Sequence, residues 1–499
     1  MAGAITFGGL GSGLDTGAII DALVKAEHVP IDKLTAQKAD FQKKIDLIGT
    51  FKGLVETLRS KASSLGTLSG FLSYKVTPSI EGAATFSASG SAIAGSHTLR
   101  VDSLAAGDRW AFDGVADPDA ALATADGQGV SFTYNGTTYT TTTTAATSSL
   151  NAIASQINTA TAGAVTASVV NAGTTASPSW QLVIAAKDTG KDFRITNISS
   201  AIAALTIDGT GPDSAGVAQS ANNIVVGNNA VALVDGLRVE RDNNDFSAVV
   251  EGVSISLLAA DPTKTLTFTV APDKDAIKGR LKEFIDAYNA VGKFIADQNK
   301  FDAKAGPSGM LFGDSALRTI QRTLRGVLFN QSVAQVTADT TGYGTLRLIG
   351  IETNSDGSLK INDTVLDAKL DGDLAAFTDL FVDRDGFDNG GAAVGTPGYY
   401  TDTTADTGLG DDLARALDQV VKGYTDSAGT FSDGLFDARV KALNSNIKSL
   451  DTQIDRGELH IDAYRAQLTA RFAALERLMA QLQSQTQYLA SSQSNDSGN

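Results

Sequence analysis

The sequence predicts an α+β, multidomain protein. Its N- and C-terminal ends form an antiparallel helical or coiled-coil leg, and β-rich head domains are inserted between them. Both ends carry apolar residues at alternating steps of three and four, which is the spacing of a helical seam. The middle of the chain alternates apolar and polar residues instead, which is typical of half-buried strands. A chain of 499 residues is also too long for one ordinary domain.

The N-terminal end predicts a long helix that begins near Pro30. Apolar residues recur at helical spacing as far as Leu65, so the helix has about 35 residues and a length of ~52 Å. Pro30 suits a first helical turn, because the missing N–H has no helical partner there. We expect five seam residues at this end: Ile31, Leu34, Phe41, Ile45 and Ile48.

The C-terminal end predicts a partner helix from Leu435 to Leu489. Gly457 interrupts its apolar series and is a candidate hinge, since glycine weakens a helix by up to about 1 kcal/mol relative to alanine. A glycine that the helix merely tolerates is the alternative. The expected seam residues at this end are Val440, Leu443, Ile447, Leu450, Ile454, Ile461 and Leu468. Matching seams favour one antiparallel hairpin over two unrelated coiled coils.

The middle of the chain predicts strands and a separate inserted domain. Asn135-Gly136 is a good turn between two strand-like runs, and a short helix follows with Ser148 or Ser149 as its cap. Only three basic residues lie between Trp110 and Leu237, and this shift in composition indicates a domain of its own. Helices return after Asp275, one of them capped by Asp314 or Ser315, and Asp356-Gly357 closes a further hairpin.

These signals divide the chain into seven segments. We predict an N-terminal flexible segment and helix (1–45, with 446–499), a helical leg domain (46–76 with 274–445), a β head domain (77–108 with 225–273), an inserted outer β-rich head domain (109–224), and a C-terminal coiled-coil helix with a polar tail (446–499). A turn-rich segment near residues 383–406 is expected to be an exposed loop.

Composition excludes several classes of function. A net charge of −16 disfavours nucleic acid and anionic membrane surfaces as partners, because both need clustered Lys and Arg. The absence of cysteine excludes disulfides and thiolate chemistry. Since the first Lys is Lys25 and no apolar run approaches a membrane span, we expect either a cytosolic protein or export without a cleaved signal.

No motif predicts catalysis, a cofactor or a metal. The glycines between Gly8 and Gly17 match neither G-x-G-x-x-G nor a P-loop, and no strand precedes them. The acidic run after Asp383 lacks the spacing and the late Glu of a calcium loop, so solvated turns are favoured. The three histidines, His28, His97 and His460, fall in different elements, with His28 and His460 expected to face solvent.

Several stretches together resemble the flagellar filament cap family, the FliD-type hook-associated proteins. They are "GLGSGLDTGAIIDALVKAEHVPIDKL", "NAVALVDGLRVERDNNDFSAVVEGVSISLL", "GDSALRTIQRTLRGVL", "GIETNSDGSLKIN" and the C-terminal "LDTQIDRGELHIDAYRAQLTARFAALERLMAQLQSQTQYL". They occur in the family's order and span residues 1–108 and 225–490. The loop near Asp383–Asp406 is longer than the family pattern, which leaves its role open.

The resemblance implies a non-enzymatic, homo-oligomeric cap at the distal tip of the bacterial flagellum. It would promote flagellin folding and insertion and would be exported through the flagellar type III apparatus. Implied partners are the chain itself, flagellin, hook–filament junction proteins and an export chaperone, with no cofactor, nucleic acid or membrane. The alternative is a surface adhesin or another flagellar axial protein whose β head binds host glycans or proteins.

The ends of the leg are the expected contact region with the filament. A helix starting at Asp15 or Thr16 follows the glycine-rich segment, which we expect to order on contact with a protein partner. The expected contact residues are Leu10, Leu14, Ile19, Ile20, Leu23, Val24, Phe472, Leu475, Met479, Leu482 and Leu489.

Overall fold

The computed structural model describes residues 15–496, except for residues 303, 305, 330–340, 404–407 and 427. The chain divides into two compact units. The first comprises the residues up to Thr67 together with those from Arg280 onward, and the second is Leu68–Gly279. Leu10 and Leu14, two of the expected contact residues, lie outside the described residues.

The described helices fall mainly in the first unit. They are α1 (Thr16–Leu65), α2 (Leu68–Phe71), α3 (Leu150–Thr161), α4 (Lys274–Gln298), α5 (Ser315–Leu328), α6 (Asp363–Asp371), α7 (Leu374–Asp379), α8 (Leu409–Val421) and α9 (Leu435–Asp496).

Most of the described strands belong to the second unit. They are β1 (Tyr74–Pro78), β2 (Ala84–Ala88), β3 (Gly95–Ser103), β4 (Gly107–Ala111), β5 (Val130–Tyr134), β6 (Thr137–Thr140), β7 (Val165–Asn171), β8 (Trp180–Thr189), β9 (Thr196–Ser200), β10 (Asn223–Val225), β11 (Ala230–Val234), β12 (Leu237–Arg241), β13 (Asp245–Val250), β14 (Val253–Leu257) and β15 (Leu266–Pro272). Three short hairpins lie in the first unit: β16 (Phe301–Asp302) with β17 (Gly306–Pro307), β18 (Ile351–Thr353) with β19 (Leu359–Ile361), and β20 (Tyr424–Thr425) with β21 (Phe431–Ser432).

The second unit contains two hydrophobic cores, each between antiparallel sheets. One core packs a five-stranded sheet of order β1-β15-β3-β11-β12 against a three-stranded sheet of order β13-β14-β2. The other packs α3 with a four-stranded sheet of order β10-β4-β8-β7 and a three-stranded sheet of order β6-β5-β9. The second core draws its buried residues from Trp110 to Leu205, so it is built within the segment that composition had set apart. The finer domain boundaries remain predictions.

Local signals placed several elements correctly. Asp15 caps α1 by accepting a hydrogen bond from Ala18 N at 2.9 Å, Ser149 caps α3, and Asp314 caps α5. The turn at Asn135-Gly136 joins β5 to β6, with both residues at positive φ. These are positions where Asn and Gly tolerate the left-handed backbone that a tight hairpin requires.

The predicted start of the long N-terminal helix was wrong. Pro30 lies inside α1, which begins at Thr16 and runs through to Leu65 without a break. The expected short helix and the expected long helix are therefore one element of 50 residues. Proline removes one helical N–H, but tertiary packing on both sides of Pro30 holds the helix together: Val24 and Ile31 are both buried.

The first unit is organised around Phe51 in the second half of α1. The Phe51 ring is fully buried, stacks on Phe294 of α4 at 5.0 Å, and meets Phe436 of α9 edge-to-face at 5.5 Å. Nearby, Arg59 donates to Asp418 of α8 at 2.9 Å, which fixes α1 against that helix. The far halves of α1 and α9 extend from this packed base.

Candidate functional site

The terminal helices α1 and α9 form an antiparallel pair, as the sequence predicted. Residues closer to the C-terminus of α9 pair with residues closer to the N-terminus of α1. Lys52 pairs with Asp437 at 2.8 Å, Lys38 with Asp451 at 2.6 Å, and Arg465 with Asp21 at 2.9 Å. The expected fold class is confirmed by this hairpin and by the antiparallel sheets of the second unit.

An apolar cluster fills the far part of this terminal helix pair. Its buried members are Val24, Ile31, Ile461 and Leu468, and partly buried side chains pack against them, namely Ile20, Ile454, Tyr464 and Phe472. At about 25 cal/mol per Å² of buried apolar surface, such a seam is the main force that holds two helices together in water. All the expected seam residues are buried or half-buried, including Leu34, Phe41, Ile45, Ile48, Val440, Leu443, Ile447 and Leu450.

His28 connects the two helices, although the sequence predicted that it faces solvent. Its Nδ1 lies 3.0 Å from Asp32 Oδ1 on α1, and its Nε2 lies 3.0 Å from Glu458 Oε1 on α9. When protonated, the ring donates to both carboxylates. The hydrogen bond to Glu458 and then the one to Asp32 raise the pKa of His28 above its usual value of 6.5, against the lowering effect of partial burial. No one-dimensional pattern pointed to Glu458, because it lies on the other helix.

Gly457 lies at the same level and in close contact with α1. A β-carbon at this position would stand 2.8 Å from Ile31 Cγ1 and 2.9 Å from Ile31 Cδ1, which is closer than side-chain atoms approach one another. The glycine therefore makes room for the Ile31 side chain in the seam. Pro30 immediately precedes Ile31 on α1. Pro30 on α1 and Gly457 on α9 both disfavour a helix interior, so the two helices carry unfavourable residues at the same level.

The expected filament-contact residues fall into two groups. Three of them, Ile20, Val24 and Phe472, pack inside the terminal helix pair and are covered there. Leu23, Leu475, Leu482 and Leu489 are exposed, whereas Ile19 and Met479 are half-buried. The structure thus does not bring the whole expected set onto one free surface.

The distal part of α9 continues beyond the described start of α1. Asp21 already lies opposite Arg465 and α1 begins at Thr16, so the turns of α9 after Phe472 lie beyond the described start of α1. The segment 473–489 is about 26 Å long at 1.5 Å per residue. It carries a distal apolar stripe at helical spacing, made of Leu475, Leu478, Leu482 and Leu489, each about half exposed. Sequence reasoning missed Leu478, although its position three residues after Leu475 places it on the same face.

The segment after Asp383 is exposed over much of its described length, as the sequence predicted, but two of its carboxylates are buried. The side chains of Asp383 and Asp402 are only 2% and 1% exposed, and Arg415 of α8 reaches both, at 3.8 Å and 3.5 Å. The Phe387 ring lies 4.5 Å from the Arg415 guanidinium carbon. Burial raises the pKa of Asp383, and the neighbouring Asp385 and Asp402 raise it further. Sequence alone could not join Arg415 to residues so far away along the chain.

The described residues show no site for metal chemistry or for a membrane span. Among them, no three His, Asp or Glu side chains converge on a point where an ion could bind. None of the helices in the described part of the chain is long and apolar enough to cross a bilayer.

His97 pairs with Asp235 at 2.7 Å and lowers the pKa of that carboxyl, beside a cavity of ≈ 590 Å³ in the second unit. This hydrogen bond crosses from β3 to the β11–β12 turn and has a structural explanation.

Comparison with known proteins assigns the family. The model of the flagellar hook-associated protein 2 N-terminus matches residues 12–108, and the model of its C-terminus matches residues 227–484, which is more than half of the chain. The chain belongs to the flagellar hook-associated protein 2 family. The resemblance found in the motifs is confirmed, and both matches lie within the ranges that the motifs spanned.

Relatives in this family match the chain over almost its whole length. Flagellar hook-associated protein 2 of Escherichia coli strain K12 is 29% identical over 501 residues, which cover 98% of each chain. The A-type flagellar hook-associated protein 2 of Pseudomonas aeruginosa is 27% identical and covers 97% of this chain and 96% of its own. The crystal structure of the D1-D2-D3 domains of the E. coli flagellar cap protein FliD matches with a TM-score of 0.58 at 26% identity. It covers 80% of this chain and 99% of that one.

Proposed function

We propose that the chain caps the distal end of a bacterial flagellar filament as a homo-oligomer. In that position it prevents the loss of flagellin and promotes the folding and insertion of exported subunits. The family assignment and the likeness to a solved flagellar cap protein support this function. The terminal helix pair serves as the leg that reaches toward the filament, and the β-rich second unit forms the head.

The distal apolar stripe on α9 is the observation that carries the proposal. Water-exposed leucines in a row on one helix face are unfavourable unless a protein partner covers them. The sequence from Leu478 to Asn495 contains no charged residue, so a partner surface needs no charge complement there. Leu475, Met479, Leu482 and Leu489 are accordingly the strongest filament-contact candidates, and Leu478 joins them.

The remaining expected contacts have a different role in this proposal. Ile20, Val24 and Phe472 hold the terminal helix pair together, while Leu23 and Ile19 lie near its tip. Leu10 and Leu14 stay candidate contacts on the sequence argument alone. The glycine-rich segment that contains them is proposed to order against a protein, since its spacing does not fit a phosphate.

The proposed cap role implies where the chain acts and which proteins it contacts. The chain acts outside the cell at the flagellar tip after unfolded export through the flagellar type III apparatus, a route for which a chain without cysteine is well suited. Flagellin, the hook–filament junction proteins and an export chaperone are the proposed partners besides the chain itself. We propose a structural assembly factor, not an enzyme.

A deletion strain complemented with variants tests the proposal. Replacing Leu475, Leu482 and Leu489 by Asn should release flagellin monomer into the medium and abolish swimming, as in the deletion strain. The matched control changes Gln481 and Gln487, polar residues of the same helical segment, to Ala and should swim normally. A deletion strain that swims normally but attaches poorly to surfaces would contradict the cap and support an adhesin.

A further inference from the structure

Helix α5 carries three arginines on one exposed flank. Arg318, Arg322 and Arg325 are spaced by four and three residues, which places them side by side on a helix. All three are exposed, while Leu317, Ile320, Leu324 and Leu328 of the same helix are buried. We call these three residues the arginine flank.

The guanidinium groups of the arginine flank make no hydrogen bond or ion pair with any residue that the structure describes. Many other arginines of the chain do pair, for example Arg59 with Asp418 and Arg439 with Asp314. Asp314, the acidic residue nearest to Arg318 in sequence, already has other partners. Its carboxylate accepts hydrogen bonds from Ala316 N at 2.9 Å and from Arg439 Nε at 3.0 Å. In a chain with a net charge of −16, the arginine flank thus holds three adjacent cations that no carboxylate among the described residues pairs with.

The composition around the arginine flank is that of a protein contact. Phe312, just before α5, is 45% exposed, and Phe329, just after it, is 42% exposed. Arginine and aromatic residues are enriched at protein–protein interfaces. The planar guanidinium of arginine can form bidentate hydrogen bonds with a carboxylate. The partner surface should therefore be acidic protein.

A matching acidic face exists on α9. Asp455, Leu459 and Asp462 repeat the four-and-three spacing of the arginines, and Leu459 is 71% exposed. The two aspartates are exposed and form no hydrogen bond or ion pair with the described residues. Within one chain the two faces are apart, because α9 meets the start of α5 at Arg439 and Asp455 lies about 24 Å farther along the helix.

We propose that the arginine flank of α5 binds the Asp455–Asp462 face of α9 in a second copy of this chain. The contact rests on the proposed cap, since a cap of several copies needs surfaces that join one copy to the next. Charge complementarity selects the occupant: each copy is acidic overall, and this face of α9 matches the arginine spacing. The interface is heterologous, so it can repeat around a closed ring.

The test measures self-association of the purified full chain by sedimentation at low and high salt. The wild-type chain should associate more strongly at low salt, because screening weakens ion pairs. Reversing the arginine flank (R318E, R322E and R325E together) should weaken association roughly tenfold or more at low salt and remove the salt dependence. The matched control reverses three scattered exposed cations, Lys33, Lys187 and Lys448, and should associate almost as the wild type does. Unchanged circular dichroism shows that each variant is folded.

A charge swap gives the sharper result. A chain with R318E and R325E combined with D455K and D462K should regain association, since the ion pairs re-form with opposite signs. Failure of the swap to restore association overturns the assignment of α9 as the opposite face. Wild-type chain that stays monomeric at low salt, or an arginine-flank variant that associates normally and loses only filament binding, overturns the second copy as the partner. Flagellin release in cells tests the cap itself, so the two failures are distinguishable.

Discussion

At the scale of single residues, His28 shows how one side chain couples the terminal helices to pH. Its raised pKa means that the folded pair binds the proton more tightly than the unfolded chain does. The stabilisation is therefore fully present below the unfolded value of about 6.5, and it is lost as the pH rises through the raised pKa of the folded state.

We accordingly predict that the terminal helix pair is less stable at pH 9 than at pH 6. Amide hydrogen exchange, corrected for its intrinsic pH dependence, should show faster opening near His28 at the higher pH. The His28→Gln variant should lose most of this difference, because glutamine does not titrate. An equal pH response in wild type and variant would show that other groups control the opening.

A second residue, Asp108, ties together separate segments around the core that contains Trp110. Its carboxylate is almost completely buried and accepts four hydrogen bonds: from Trp110 Nε1 at 2.7 Å, Ile195 N at 2.9 Å, Asn223 Nδ2 at 3.1 Å and Gly227 N at 2.8 Å. These donors come from β4, from β10 and from the segments that follow β8 and β10. The sequence did not single out Asp108, since its partners are distant along the chain.

Replacing Asp108 by Ala should destabilise this unit by more than about 3 kcal/mol, because four buried donors lose their acceptor. Trp110 itself donates to Asp108, so urea unfolding followed by tryptophan fluorescence reports on this unit. The control is Asp192→Ala, which removes an exposed carboxylate. A shift no larger than that of the control would mean that water replaces the carboxylate.

At the scale of elements, periodicity predicted the terminal helices well because their stability depends on one repeating face. Leu435 is the observed start of α9, and the proposed seam residues are buried or half-buried. What the pattern did not give was the continuity of α1 through Pro30, which depends on packing against α9. It also gave neither Glu458 opposite His28 nor Arg415 beneath the acidic segment, because such pairs are fixed only when distant elements meet.

Gly457 is the element-scale position where two physical effects compete. Gly457→Ala adds helix propensity worth up to about 1 kcal/mol, but it also places a methyl group against Ile31, and overpacking of this kind costs about 1–3 kcal/mol. We predict a net weakening of the terminal helix pair, measured by hydrogen exchange of the α1 amides around Ile31.

The matched background for this test is Ile31→Ala, which removes the crowded side chain. There, Gly457→Ala should be neutral or stabilising. If Gly457→Ala stabilises the pair even with Ile31 present, the close contact is not what requires the glycine. The hinge role of Gly457 remains a prediction, and slower cap rotation with poor swimming in Gly457→Ala is its expected sign.

At the scale of the whole molecule, the central claim is that the terminal helix pair ends in a surface made for the filament. The family and the α+β organisation could be predicted from sequence, because several motifs occur in order and the two ends share one periodicity. The sequence could not predict which expected contact residues are buried in the helix pair and which are exposed. Ile20 and Phe472 are as apolar as Leu475 and differ only in packing against the opposite helix.

Electron microscopy of isolated filaments incubated with gold-labelled chain tests this claim most directly. We predict that the label binds at one end of each filament, the distal end, and that chain truncated after Phe472 does not bind although its head stays folded. Label spread along the filament shaft, or undiminished end binding by the truncated chain, would contradict the account.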